Sequence, residues 1–170
     1  MKRLVALFTA TCLVFLTLYC QYDNSQLAGM WELQSVKFKH PVDLNKDGYR
    51  SSDAFWEYDD CHKDQQLELL SDGAARTYLG TNRNGCMNQV KQYKWNMKEE
   101  LVKEVKYELG KRIVDERRPT VLKLSDPNGV DSKAFVVIGV DENILTLKGL
   151  VRRDARNVEE AILIYKKRKK

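Results

Sequence analysis

The stretch from Gly29 to Phe38 limits the fold more than any other part of this chain. Trp31 and Leu33 share one face and Glu32 and Gln34 the other, the period-2 pattern of a strand buried on one side. Past Gln34 the phase inverts, so that Val36 and Phe38 become the apolar members and Lys37 and Lys39 the polar ones. A one-residue slip exchanges the faces of a pleated strand, so this inversion predicts a bulge or sharp bend at Gln34-Ser35. Pro41, which has no N–H to give a ladder, is expected to end the strand.

Strand signals recur along the rest of the chain. They cover residues 66–70, 75–79, 90–97, 121–124, 134–140, 144–150 and 161–165. Residues 101–109 fit two periods: Leu101, Val105 and Leu109 suit a helix, whereas Val105, Tyr107 and Leu109 alternate with Lys106 and Glu108. Strand is the preferred assignment. Ser71-Asp72-Gly73, Asp126-Pro-Asn-Gly129 and Asp141-Glu-Asn143 supply turn chemistry between neighbouring strands. Such sequential, short links predict an all-β fold: an eight- to nine-stranded up-and-down antiparallel barrel over residues 27–165, closed so that no edge is left unpaired. One short helical turn is expected near residues 54–60, with Asp53 as its cap.

Residues 1–19 stand apart from that body. Lys2 and Arg3 precede the apolar run 4–19, which is short of the ~20 residues of a membrane span and reads as a signal peptide. Cys20, where the run ends, resembles the lipid-accepting cysteine of bacterial lipoproteins. Residues 20–26 would then be a tether to the membrane. Gln21-Tyr22-Asp23 resembles the short export tag that carries some such lipoproteins to the cell surface. These resemblances imply an outer-membrane lipoprotein, surface-exposed if the tag is read, the alternative being a periplasmic or secreted protein.

The net charge of +5 belongs to the two termini: Lys2 and Arg3 in the leader and five positives at residues 166–170. The body between them is mildly acidic, which argues against nucleic acid as a partner and reduces the basicity to a solvated tail. Setting aside Cys12 in the leader and Cys20 at its end, Cys61 and Cys86 remain, and two thiols in an exported domain predict one disulfide.

Gly29-Met-Trp31 at the head of the first strand resembles the Gly-x-Trp signature of lipocalins. In that family the Trp closes one end of an eight-stranded barrel, often beneath a Lys or Arg near the last strand. A wider set of residues resembles a bacterial lipocalin-like domain family found on exported lipoproteins. It comprises Trp31 to Val36, Val42 to Gly48, Ser51-Ser-Asp53, Cys61, Leu67, Asp72-Gly73 and Gly85-Cys86. The resemblance covers residues 27–97 and implies a small calycin-like barrel.

Two further features bear on ligands. Asp43-Leu-Asn45-Lys-Asp47-Gly48-Tyr49 has the oxygen spacing of a calcium loop, with side-chain ligands at Asp43, Asn45 and Asp47, the Tyr49 carbonyl, and Ser51 or a water next. The twelfth position is Ala54, so closure falls to Asp53, with Glu57 as the alternative; an Asx-rich turn that binds nothing has the same sequence. Tyr78, Tyr93, Trp95, Tyr107 and Phe135 alternate into strands and are candidates to line a cavity, or else to fill it.

Nothing marks an active site. His40 and His62 lie far apart, and no nucleophile elbow, zinc-protease motif or phosphate loop is present. The expectation is a monomeric, non-catalytic, lipid-anchored barrel that binds a small apolar ligand, with calcium as the one candidate cofactor. The alternative is a filled barrel that contacts another envelope protein or a glycan.

Overall fold

A computed structural model describes residues 24–80, 85–152 and 157–169. Two helices of four residues each, α1 (Asn24–Leu27) and α2 (Asp60–Lys63), accompany eleven strands. These are β1 (Gly29–Val42), β2 (Ser51–Asp53), β3 (Gln66–Leu69), β4 (Ala74–Leu79), β5 (Gln89–Glu99), β6 (Val102–Glu108), β7 (Lys111–Arg117), β8 (Thr120–Ser125), β9 (Ser132–Val140), β10 (Ile144–Arg152) and β11 (Val158–Lys167). No helix among the described residues is long and apolar enough to cross a membrane.

Eight strands close into an antiparallel barrel in the order β1-β3-β4-β5-β8-β9-β10-β11, with β11 returning to pair with β1. The all-β barrel expected from the alternation is therefore present. Its interior is a continuous apolar stack built from the inward-facing members of those strands, among them Trp31, Leu33, Leu69, Leu122, Leu124, Leu145 and Leu147.

The bulge lies where the phase inverts. Leu33 faces Tyr165 and Ser35 faces Ile164, leaving Gln34 as the extra residue, and both halves of β1 thereby turn their apolar side chains inward. Pro41 does not end the strand, which runs on to Val42. The ladder with β2 is interrupted between Lys37 and Val42, so the missing N–H at Pro41 costs no bond there.

Residues 101–109 form a strand, as preferred, but not one of the barrel. β6 and β7 pair only with each other, turning through Leu109 and Gly110 at φ +50° and +77°. This hairpin is an excursion between β5 and β8, which pair directly across its base. Tyr107, expected to line a cavity, is exposed on β6 for that reason.

One end of the barrel, the floor, is sealed by Trp31. Its indole is fully buried and donates to the Leu27 carbonyl at 2.7 Å. The Lys167 ammonium sits 5.0 Å above the ring and reaches the Gln26 carbonyl at 3.3 Å. Gly29 has φ +142°, and a Cβ there would stand 2.7 Å from the Lys167 Cε. Glycine is favoured by that backbone angle, and a side chain there would push the end of the lysine aside. The C-terminal basic residues thus do not all belong to a tail. Lys166 and Lys167 are ladder partners of Glu32 and Trp31, and the Arg168 N–H donates to the Met30 carbonyl at 2.8 Å.

Candidate functional site

The opposite end, the mouth, is covered by the long connection between β1 and β3, residues 43–65. Besides the short β1–β2 ladder and the bond from the Leu33 N–H to the Gln65 carbonyl at 2.9 Å, three attachments hold this lid. Asp53 receives the Ser35 hydroxyl at 2.5 Å and the Val36 N–H at 2.9 Å, and the Ala54 N–H donates to the Val36 carbonyl at 2.8 Å. The bulge in β1 is thus also the point where the lid docks. The third attachment is covalent: Cys61 is bonded to Cys86 of the β4–β5 connection, as expected, across a sequence separation of 25.

Between these attachments the lid makes one turn and then α2. The Trp56 and Glu57 N–H groups donate to the Asp53 and Ala54 carbonyls at 3.2 and 3.1 Å, and Asp53 Oδ1 receives the Phe55 N–H, so Asp53 caps this turn as predicted. The helix that follows has its own cap, Asp59, which accepts from the His62 N–H at 2.8 Å. That bond, and the His62 ring beside it, hold the Asp59 carboxyl below its ordinary value.

The lid leaves an opening on either side, and Gln65 borders both. The larger is a cavity of about 460 Å³. Its base is made of Leu33, Val36 and Leu163 from the barrel, its walls of Leu44, Glu57, Tyr58 and Val151, and its rim of Asp59, His62 and Arg152. Burial, with the Asp53 charge second, pushes the Tyr58 phenol up, so it remains a neutral donor throughout the physiological range. The smaller opening, about 260 Å³, is bordered by Gln66, Thr77, Tyr78, Lys133, Phe135 and Tyr165. Tyr165 is buried against the base, and burial raises its phenol strongly.

Of the five aromatics proposed to line a cavity, Tyr78 and Phe135 border the smaller opening. Tyr93 and Trp95 are core. The Trp95 indole donates to the Leu70 carbonyl at 2.8 Å, toward the floor. The Tyr93 hydroxyl donates to Asp131 at 3.0 Å, and burial together with that carboxylate pushes its phenol up to about 12. The residues that sequence reasoning missed are of two kinds. Leu163 and Tyr165 share the inward parity of β11 and were available from its alternation. Leu44 and Tyr58 sit in a loop with no period, and no sequence signal could have found them.

The lid also carries the acidic loop. Asp43 Oδ2 receives the Gly48 N–H at 3.2 Å, Asn45 Oδ1 the Asp47 N–H at 3.1 Å, and Asp47 Oδ1 the Tyr49 N–H at 2.8 Å. Asp43, Asp47 and Glu57 each bring a carboxylate oxygen within 4.8 Å of the other two. Ser51 and Asp53 are not part of this group. The Ser51 hydroxyl bonds to the Asp53 backbone, and both Asp53 oxygens are taken by β1 and Phe55. The carboxylate that meets Asp43 and Asp47 is thus Glu57, four residues beyond Asp53.

His62 and Asp59, 2.8 Å apart at the rim, have the geometry of a base and its orienting carboxylate. The neighbouring thiol that such a pair would activate, Cys61, is consumed in the disulfide. Cys20 lies outside the described residues. No protein-family model, no curated protein and no solved structure matches the chain.

Proposed function

We propose that this protein is a lipid-anchored envelope lipoprotein of the lipocalin-like kind, whose barrel binds a small, largely apolar molecule at its mouth without catalysing a reaction. The observation that carries the binding role is the cavity of about 460 Å³ beneath the lid. Leu33, Val36 and Leu163 offer it an apolar base, beside the buried Glu57 and the more exposed Asp59, His62 and Arg152. That volume falls within the ~300–1,000 Å³ of small-molecule sites, and an apolar pocket with a few polar groups at its lip is their usual composition. Lys167 stacked over Trp31 supports the lipocalin-like assignment, because it reproduces the closure that the Gly-x-Trp resemblance implies. The anchor rests on the sequence of residues 1–23.

Native mass spectrometry of protein extracted gently from its own membranes tests the binding role. A co-purifying small apolar molecule is expected, and it should be lost from a Leu44→Asp variant, which places a charge in the cavity wall. A clean apo mass, together with no uptake of an apolar fluorophore by the purified protein, removes the proposal. Metabolic labelling with palmitate tests the anchor separately, and an unlabelled mature protein removes that part alone.

A second reading is favoured by the β6–β7 hairpin. Val105, Tyr107, Leu109, Ile113 and Val114 are exposed there on a projection that takes no part in closing the barrel. In this reading the barrel is a scaffold and the hairpin meets another envelope component.

A further inference from the structure

We propose that the lid holds a calcium ion between the 43–49 loop and Glu57, a residue that also borders the cavity. Glu57 is 8% exposed, yet its Oε2 has no hydrogen-bond partner, and neither has the buried Asp43 Oδ1. A carboxylate oxygen taken out of water with nothing to replace the water is costly, so buried charges are found paired or on a metal. Here the two orphaned oxygens belong to residues whose carboxylates, with that of Asp47, converge to within 4.8 Å. Ligands that each stand 2.3–2.6 Å from one calcium ion are separated by about that distance or less, so a single ion can reach all three.

The rest of the loop is built to leave those oxygens free. Asp43 accepts the Gly48 N–H on Oδ2, and Asp47 accepts the Tyr49 N–H on Oδ1 and the Asn45 side-chain N–H on Oδ2 at 2.9 Å. The Gly48 N–H therefore fixes Asp43 through one oxygen while its Oδ1 stays uncommitted, and Asp47 would reach the ion through an oxygen that also accepts a hydrogen bond. Gly48, at φ +92°, allows the chain to turn back so that the Tyr49 carbonyl follows in the seventh place. The donors are all oxygens and three are carboxylates, a set for a hard cation rather than for zinc or copper. Magnesium demands a small octahedral shell and gives up its water reluctantly, whereas calcium accepts an irregular shell contributed from separated stretches of chain. Glu57, ten residues past Asp47, is such a contribution. By bridging the start of the lid at Asp43 to its turn at Glu57, the ion would stitch the lid across the mouth.

The test uses the protein with its disulfide oxidised, stripped with EDTA and titrated with calcium chloride by calorimetry and thermal melting. Saturable one-site binding is expected in the ~0.1–1 mM range of extracellular calcium modules. At tenfold excess over the dissociation constant, Tm should rise by roughly 3–6 °C. Magnesium chloride at the same concentration should give less than a third of that shift, and an equal shift would overturn the assignment as charge screening. Glu57→Gln should weaken calcium binding at least tenfold, while its Tm in EDTA should stay at or above that of the parent, because an unpaired buried charge has been removed. Absence of heat and of a Tm shift at ~10 mM calcium, about ten times the weakest such affinity, overturns the proposal. So does a Glu57→Gln protein that responds to calcium like the parent.

Discussion

The two ends of this barrel are closed by different physics. The floor is shut by one large side chain: Trp31, fully buried, hydrogen-bonded to Leu27 and roofed by Lys167. The mouth is shut by a polar segment of more than twenty residues that buries little of itself. Ala54 and Glu57 are buried and Leu44, Phe55 and Tyr58 pack partly buried against the core, while Tyr49 and Trp56 are exposed, so the lid relies heavily on hydrogen bonds at Asp53 and on the Cys61–Cys86 bond. A seal made of packing is rigid and needs few residues. A lid made of tethers leaves gaps on either side of it, whereas the recess at the floor, bordered by Gly29, Leu70 and Lys167, does not have Trp31 in its lining.

The contrast can be broken most forcefully at the floor. Trp31→Ala removes a completely enclosed indole and leaves its cavity at the centre of the packing, and it should cost about 3–5 kcal/mol in denaturant unfolding. The same substitution at Trp56 on the lid, which is 68% exposed, should stay within ~0.5 kcal/mol. If the two losses were comparable, the distinction between packed floor and tethered lid would fail.

Opening the mouth should cost nearly as much by another route. Replacing Cys61 and Cys86 together by Ser frees a loop of sequence separation 25, worth about 3.5 kcal/mol in the chain-entropy account. Near-ultraviolet circular dichroism should nonetheless keep the signal of Trp31 and Trp95, since both indoles are held by hydrogen bonds at the floor, to the Leu27 and Leu70 carbonyls. Protease sensitivity should rise in residues 43–65 first.

A smaller effect lies between the two ends, at Tyr93. Its folded-state pKa of about 12 exceeds the ordinary value of 10, so the native state holds a proton that the unfolded chain releases. The stabilisation is complete below pH 10 and is lost as pH rises from 10 to about 12. Tyr165, Tyr58 and Tyr78 are raised as well and add to the same decline. Tyr93→Phe should flatten the decline in part and, by losing the bond to Asp131, cost about 1 kcal/mol at neutral pH. An unchanged alkaline slope in the variant would contradict the assigned burial of the phenol.

The smallest effect is expected on the hairpin. Val105→Ser on β6 should change stability by no more than ~0.5 kcal/mol, because the side chain meets neither end of the barrel and is exposed. A loss of binding to an envelope extract without loss of stability would instead favour the second functional reading.

Most of the wall was legible because a strand announces itself in consecutive residues. Alternation located the eight barrel strands, the phase inversion located the bulge, and Gly29-x-Trp31 located the floor. Alternation also marked residues 101–109 as a strand, but it reports only that one face differs from the other. It carries no information on what lies against either face, so it could not say that β6 would leave the barrel with β7. Pro41 shows the same limit, since whether a missing N–H matters depends on whether a partner strand stands opposite it.

The sequence by itself determined the eight barrel strands, the disulfide pair and the acidic loop, because each is written in the type and spacing of residues along a short stretch. Only the tertiary structure decided which residues share the mouth. Leu44, Tyr58 and Leu163 border one cavity, and Glu57 rather than Asp53 faces Asp43 and Asp47. The physical reason is that Asp53 and Glu57 are both carboxylates in the same loop, and their roles separate only through what they touch. Ser35 and the Val36 N–H, exposed by the bulge, claim Asp53, and the turn that follows carries Glu57 inward with an oxygen left unpaired.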